Sequence, residues 1–209
     1  QAAPERRRLL GEILVDNGRL LSGDVMRVLS YQQDKSLSFG DAAVRLRLVS
    51  RGDVQQALSQ QFDYPVLTPG HGGFSRELVS AYEPFGATAE AIRTLRTELM
   101  LRWFDDSRRV LAVASPARFE GRSYLSANLA VSFAQQGAKT LLIDADLRCS
   151  AQHRLFGVPN RCGLSTLLGD PRVKPTEAIF GFTDLPNLAL LPAGSLPPHP
   201  LELLGQPAF

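Results

Sequence analysis

Cysteine, tryptophan, methionine and histidine are all scarce: 209 residues hold two Cys, one Trp, two Met and three His. Cys149 and Cys162 are too few for a disulfide framework, and the chain is long enough to bury a core without one, so free thiols are expected. His71, His153 and His199 stand apart from each other, which leaves no His-Cys zinc pattern. No apolar run approaches the ~20 residues that a membrane helix needs, and Gln1 to Arg8 lacks the apolar centre of a secretory signal. A net charge of +2 provides no broad phosphate-binding face, so nucleic acid is not an expected partner, and Arg6-Arg7-Arg8 reads as a solvated terminal cluster. The expected location is the cytoplasm.

What the chain does have is a division. Between Phe62 and Phe74 the sequence carries Pro65, Pro69, Gly70, Gly72 and Gly73, which break both helix and strand patterns. The expected organisation is a helical unit over 1–64, a linker over 65–83 and an α/β domain over 84–209.

Residues 110–148 carry the chemistry. Val110 to Ala114 predicts a strand feeding a loop that ends in Gly121-Arg122-Ser123, where a helix opens whose apolar face includes Leu125, Leu129 and Phe133. A helix start after glycine offers free backbone N–H groups to an anion. A second buried strand, Thr140 to Ile143, delivers Asp144 and Asp146, oxygen ligands of the kind a nucleotide-bound Mg²⁺ requires. The loop departs from the P-loop pattern, with Pro116 in place of the first glycine and Arg122 in place of lysine. Phe119 inside it must either point its ring outward or narrow the cradle. An ordinary βαβ crossover without ligand is the competing reading of these residues alone.

The run SPARFEGRSYLSANLAVSFAQQGAKTLLIDADLR resembles the cytoplasmic ATPase domain of bacterial tyrosine kinases that control exopolysaccharide chain length, in particular the soluble EpsG-type subgroup. The resemblance implies an α/β fold of P-loop NTPase type with a parallel sheet, and ATP and Mg²⁺ as cofactors. It implies nucleotide contacts from Glu120, Gly121, Arg122, Ser123, Tyr124 and Arg148. Mg²⁺ would be held by Ser123, Asp144 and Asp146, and the catalytic set would be Asp144, Asp146 and Arg122. Asp144, Asp146 and Arg148 fill the hydrophobic-Asp-x-Asp-x-Arg motif of that family. Upstream, Glu90-x-x-Arg93-x-x-Arg96 resembles the signature these kinases use to assemble rings; the spacing predicts one helical stripe able to pair with a neighbouring subunit. A solvated face of intrahelical pairs is the plainer reading of that stripe. The further partner implied is a membrane-embedded polysaccharide polymerisation or export protein, which would hold the kinase at the inner face of the membrane.

Downstream, Gly163 to Asp170 and Leu188 to Phe209 continue the resemblance, with a strand at Leu188 to Leu191 and a short helix containing Leu201, Leu203 and Leu204. A first residue of Gln1 and the absence of a later Walker B aspartate and tyrosine-rich tail lead us to expect a fragment of a longer protein that transfers phosphoryl poorly by itself.

The first 62 residues contain an internal repeat offset by 29 positions, carrying Gly11 onto Gly40, Val25 onto Val54, Leu29 onto Leu58 and Gln32 onto Gln61. Each copy predicts a helix, a turn at Gly18-Arg19-Leu20 or Arg47-Leu48-Val49, and a second helix starting near Ser22 or Ser50, burying Leu10, Ile13, Leu14, Leu29, Val44, Val54 and Leu58. The unit resembles the N-terminal domain of type II secretion and type IV pilus ATPases, whose tandem motif binds cyclic di-GMP. Arg8, Leu10, Gly11, Leu14, Gly18, Gln32, Gly40 and Gln61 are the positions that the resemblance implies for that ligand. Leu9 and Ser38 stand where the motif has arginines, which removes planar charged partners for guanine and phosphate and makes a helical docking module the competing reading.

Three functions remain in play: an ATP-dependent tyrosine autokinase of exopolysaccharide assembly, a partitioning-type ATPase switch, and a catalytically silent scaffold that binds nucleotide or second messenger.

Overall fold

The computed structural model describes residues 8–62, 64–67, 73–105 and 107–205. The expectations that concern Gln1, Arg6, Arg7, Pro69, Gly70, His71 and Gly72 lie outside them. The chain forms two compact units, residues 1–66 and 67–209.

The first unit is four short helices: α1 (Leu10–Asp16), α2 (Val25–Lys35, entered through a 3-10 turn at Ser22–Asp24), α3 (Phe39–Arg45) and α4 (Arg51–Phe62). Its two halves obey the 29-residue repeat down to single contacts. A Cβ on Gly11 would lie 3.0 Å from the Phe39 ring, and one on Gly40 would lie 2.7 Å from Val54 and 3.6 Å from Leu10. Leu10 and Phe39 are themselves repeat equivalents, so each glycine accepts the side chain that precedes its counterpart. The turns repeat as well: Gly18 has φ +66° and donates to the Val15 carbonyl at 2.9 Å, while Arg47 has φ +57° and donates to Val44 at 2.9 Å.

The core contains Ile13, Leu14, Leu20, Val28, Ala42, Ala43, Val49 and Ala57. Leu29, expected inside, is instead exposed, and Leu58 is half-buried. The repeat pairs these positions correctly, but α2 and α4 turn their neighbours Val28 and Ala57 inward, since only one face of a short amphipathic helix can meet the core.

The second unit is built around α7 (Arg122–Gln135), reached through α5 (Val79–Tyr82) and α6 (Ala87–Arg102). Strand β1 (Thr140–Ile143), helices α8 (Gln152–Leu155), α9 (Leu164–Gly169) and α10 (Pro175–Ala178), strands β2 (Phe180–Gly181) and β3 (Leu188–Leu191), and helix α11 (Pro200–Leu204) follow. The sheet has the order β1-β3-β2; β1 and β3 are parallel, with Thr140 opposite Leu188, and the two-residue β2 is antiparallel to β3. The α/β class is as expected, with a small mixed sheet.

Two expectations are corrected. Residues 67–83 are not a linker throughout: Leu67, Leu78 and Ala81 are buried in the main core with Val131, Phe156 and Leu190, and the Leu67 N–H donates to the Ala81 carbonyl at 2.9 Å. Apolar side chains at these positions override the punctuation of the neighbouring Pro and Gly residues. Val110 to Ala114 does not join the sheet, and Val110 is exposed. Leu111 and Val113 instead line, with Lys139 to Leu142 and Leu129 and Phe133 of α7, a cavity of about 370 Å³. A strand needs a neighbour for its backbone groups, and the one pairing that β1 makes among the described residues is with β3.

Arg47→Gly should raise the thermal midpoint by the equivalent of about 1 kcal/mol, because a side chain in the left-handed region costs roughly 1–2 kcal/mol; Gly18→Ala should lower it. Thermal unfolding of both variants checks the pair. A Cβ on Gly163 would lie 2.2 Å from the Pro192 carbonyl oxygen. Gly163→Ala is therefore expected to cost roughly 1–3 kcal/mol in denaturant unfolding by prying α9 from the segment after β3.

Candidate nucleotide site

The loop ahead of α7 closes on itself. Gly121, at φ +83°, turns the chain into the helix, and Leu125 N–H donates to the Gly121 carbonyl at 2.8 Å to begin the helical ladder. The N–H groups of the first turn have no intrahelical acceptors, which makes the start of this 14-residue helix a cradle for anionic oxygen. Phe119 also has a positive φ, +64°, and the residue is 99% exposed, so its side chain does not fill the cradle.

Arg122 is the clasp. One of its terminal nitrogens donates to Ser115 Oγ at 2.9 Å and to the Ala117 carbonyl at 2.8 Å, and the other donates to Asp146 Oδ2 at 3.1 Å. Glu120 is turned back on the same loop, its Oε2 accepting the Ala117 N–H at 3.2 Å.

The two aspartates after β1 sit in different environments. Asp144 is 6% exposed and accepts backbone N–H groups from Asp146 (3.2 Å), Ala151 (3.0 Å) and Gln152 (3.0 Å). Burial outweighs these bonds and pushes its carboxyl above the ordinary aspartate range. At Asp146 burial acts in the same direction, but the Cys149 N–H, the Arg122 guanidinium and the Arg148 N–H together overcome it and hold the carboxyl below that range. Adjacent carboxylates with pKa values displaced in opposite directions are characteristic of working sites and also of structural networks.

Of the residues expected to bind nucleotide, the structure therefore brings together Arg122 and Asp146 directly, and Ser123 with Asp144 through Gln152. The Gln152 backbone N–H holds Asp144, while its Nε2 donates to the Ser123 carbonyl at 3.0 Å and to Ser126 Oγ at 3.1 Å. Tyr124 follows in the first turn of α7, its hydroxyl pKa raised by burial and by the nearby Glu77 charge. The Arg148 side chain is exposed. No group of three His, Cys, Asp or Glu that could hold a metal exists among the described residues. The Ser123 hydroxyl and the Asp144 and Asp146 carboxylates are hard-oxygen groups of the kind that would hold Mg²⁺ jointly with phosphate oxygens and water.

The charged stripe on α6 divides. Arg96 is buried and donates to the carbonyl (2.8 Å) and hydroxyl (3.2 Å) of Ser132 on α7, so it does not stand free for a neighbouring subunit as the spacing predicted. Arg93 pairs with Glu90, donates to the Pro84 carbonyl and lies over the Phe85 ring at 5.8 Å from its centroid. Glu90 is largely exposed. A guanidinium finds stronger acceptors in a desolvated carbonyl and hydroxyl than in water, which accounts for the inward turn of Arg96.

In the first unit, Arg8 pairs with Asp16, and its carbonyl accepts the Gln61 amide at 2.8 Å. Gly11, Gly40 and Leu14 are buried in helix packing, Leu10 is half-buried, Gln32 is partly exposed, and Gly18 forms the turn after α1. Gln152 is the site residue that sequence reading missed. Its signal was a glutamine directly beside a histidine, eight residues after Asp144, which has no distinctive pattern.

No helix among the described residues is long and apolar enough to cross a membrane. No protein-family model matches the chain. It is 37% identical over 127 residues to the putative tyrosine-protein kinase CapB of Staphylococcus aureus, covering 61% of this chain and 55% of CapB. Among solved structures, the chimerical protein CapA2B2 aligns at a TM-score of 0.55 with 32% identity, covering 74% of this chain and 66% of that one. The kinase domain of the Escherichia coli tyrosine kinase ETK aligns at 0.57 with 32% identity, covering 61% and 49%. The chain is accordingly similar to bacterial tyrosine-protein kinases and spans about half the length of these curated relatives.

Proposed function

We propose that the second unit binds ATP with Mg²⁺ and serves an ATP-dependent protein tyrosine autokinase that regulates exopolysaccharide polymerisation or export. The observation that carries this reading is the meeting of the Gly121 turn, the start of α7 and the Asp144–Asp146 tip, clasped by Arg122, in a chain homologous to tyrosine kinases. The N–H groups from Gly121 to Tyr124 hold the phosphate oxygens in this proposal, with Arg148 at the exposed edge of the site. Arg122 leaves Asp146 to meet the added negative charge. Ser123 and Asp144 hold Mg²⁺, which neutralises charge on the phosphates, and Asp146 orients the attacking tyrosine hydroxyl.

The self-assembly proposed from Glu90 and Arg93 is retained for these two residues, with Arg96 supporting α6 from inside. A membrane-embedded polysaccharide export protein is the proposed activator, and it would hold the kinase at the inner face of the cell membrane.

For the first unit we propose a docking module rather than a cyclic di-GMP receptor. Both motif glycines are explained by close helix contacts, and Arg8 is committed to Asp16.

Arg122→Ala should weaken binding of a fluorescent ATP analogue about tenfold, whereas Arg122→Lys, unable to bridge Ser115, Ala117 and Asp146 at once, should retain or strengthen it. Unchanged affinity in both would remove the loop as a phosphate cradle. Titration with fluorescent cyclic di-GMP is expected to show no saturable binding up to the micromolar range; saturation there would make the first unit a receptor.

A further inference from the structure

Gln152 opens the four-residue helix α8 and is 4% exposed. Burying an amide is costly unless its polar atoms are used, and the space it fills would suit a methionine of similar volume without that cost. Its polar atoms are directed at two separate parts of the nucleotide site. The side-chain Nε2 donates to the Ser123 carbonyl at 3.0 Å and to Ser126 Oγ at 3.1 Å, both on the first turns of α7. The backbone N–H donates to Asp144 Oδ2 at 3.0 Å. One residue thereby joins the helix that follows the loop to the carboxylate that follows β1.

The remaining atom is informative. Gln152 Oε1 is buried and has no hydrogen-bond partner among the described residues. Buried acceptors are rarely left without a partner, and this one is left so on the residue that bridges Ser123 and Asp144.

We propose that Gln152 is a positioning residue for Mg²⁺-nucleotide binding, acting through Ser123 and Asp144; this rests on the nucleotide reading above. By tying the two elements together it fixes the separation between the serine and the aspartate that would share the cation. Its loss should therefore be felt in the metal dependence of binding, over and above any general loosening of the fold.

The test uses the full 209-residue chain and a fluorescent, non-hydrolysable ATP analogue, titrated in Mg²⁺ and again in EDTA. Gln152→Met keeps volume and removes both polar side-chain atoms; Gln152→Asn keeps an amide but shortens it by one methylene, beyond reach of Ser123, and serves if the first variant folds poorly. The ratio of affinities with and without Mg²⁺ is expected to fall about tenfold in either variant, in the range found for residues that orient metal ligands. Combining Gln152→Met with Ser123→Ala should give less than the product of the two single effects, since both act on one coordination position. A ratio equal to that of the parent chain, or strictly multiplicative effects, would overturn the positioning role while leaving nucleotide binding intact. A parent chain that binds the analogue equally well in EDTA would instead overturn the Mg²⁺ reading itself, and this proposal with it.

Discussion

The site depends on the placement of one buried helix. α7 begins at Arg122 and Ser123, and its body is buried by apolar Ala127, Leu129, Ala130, Val131 and Ala134 together with polar Asn128, Ser132 and Gln135. The polar three recur at helical spacing, and each holds a neighbouring element. Asn128 accepts the Ser80 N–H and donates to the Glu77 and Tyr124 carbonyls; Ser132 accepts Arg96; Gln135 donates to the Ser80 carbonyl. Hydrophobic burial alone would tolerate rotation or sliding of such a helix by a fraction of a turn. Directional bonds to α5 and α6, made where water cannot compete, select one rotation.

That constraint explains the fate of the α6 stripe. Sequence spacing correctly placed Glu90, Arg93 and Arg96 near one another on a helix, but spacing carries no information on which side of that helix the core lies. The core is supplied by α7, whose Ser132 offers a carbonyl and a hydroxyl in a dry setting, and Arg96 turns to them. The same limitation applied to α2, where Val28 rather than Leu29 faces inward, and to 67–83, where Leu67 and Leu78 join the core despite neighbouring breakers. Legible in the sequence were the local signals: the glycine turn before α7, the strands at Thr140 and Leu188, the repeat that equates Gly18 with Arg47, and the pair Asp144 and Asp146. Hidden from it were relations set by tertiary packing, among them the inward face of each helix, the failure of Val110 to Ala114 to find a sheet partner, and the use of Gln152 as a bridge.

The repeat shows how local and tertiary rules divide the labour. Gly11 and Gly40 are equivalent in the 29-residue repeat, and each is required by the side chain lying against it, Phe39 in one case and Val54 in the other. Arg47 keeps the left-handed turn that its equivalent Gly18 adopts without strain. Packing alone thus accounts for glycine at both repeat positions.

Arginine at the end of the phosphate loop raises the question of whether its clasp obstructs a nucleotide. The Arg122–Asp146 pair retains more than a quarter of its side-chain exposure on each partner. Partly solvated pairs of this kind are worth at most about 1 kcal/mol, and the two bonds to Ser115 and Ala117 add roughly 1–3 kcal/mol between them. Micromolar affinity corresponds to about 8 kcal/mol, and a triphosphate offers Arg122 several charged oxygens in exchange for one carboxylate edge and two neutral acceptors. Under the proposed function, the exchange would favour the nucleotide. The clasp gives the loop a defined shape, and the contacts that Arg122 gives up would be subtracted from the affinity of the proposed nucleotide complex.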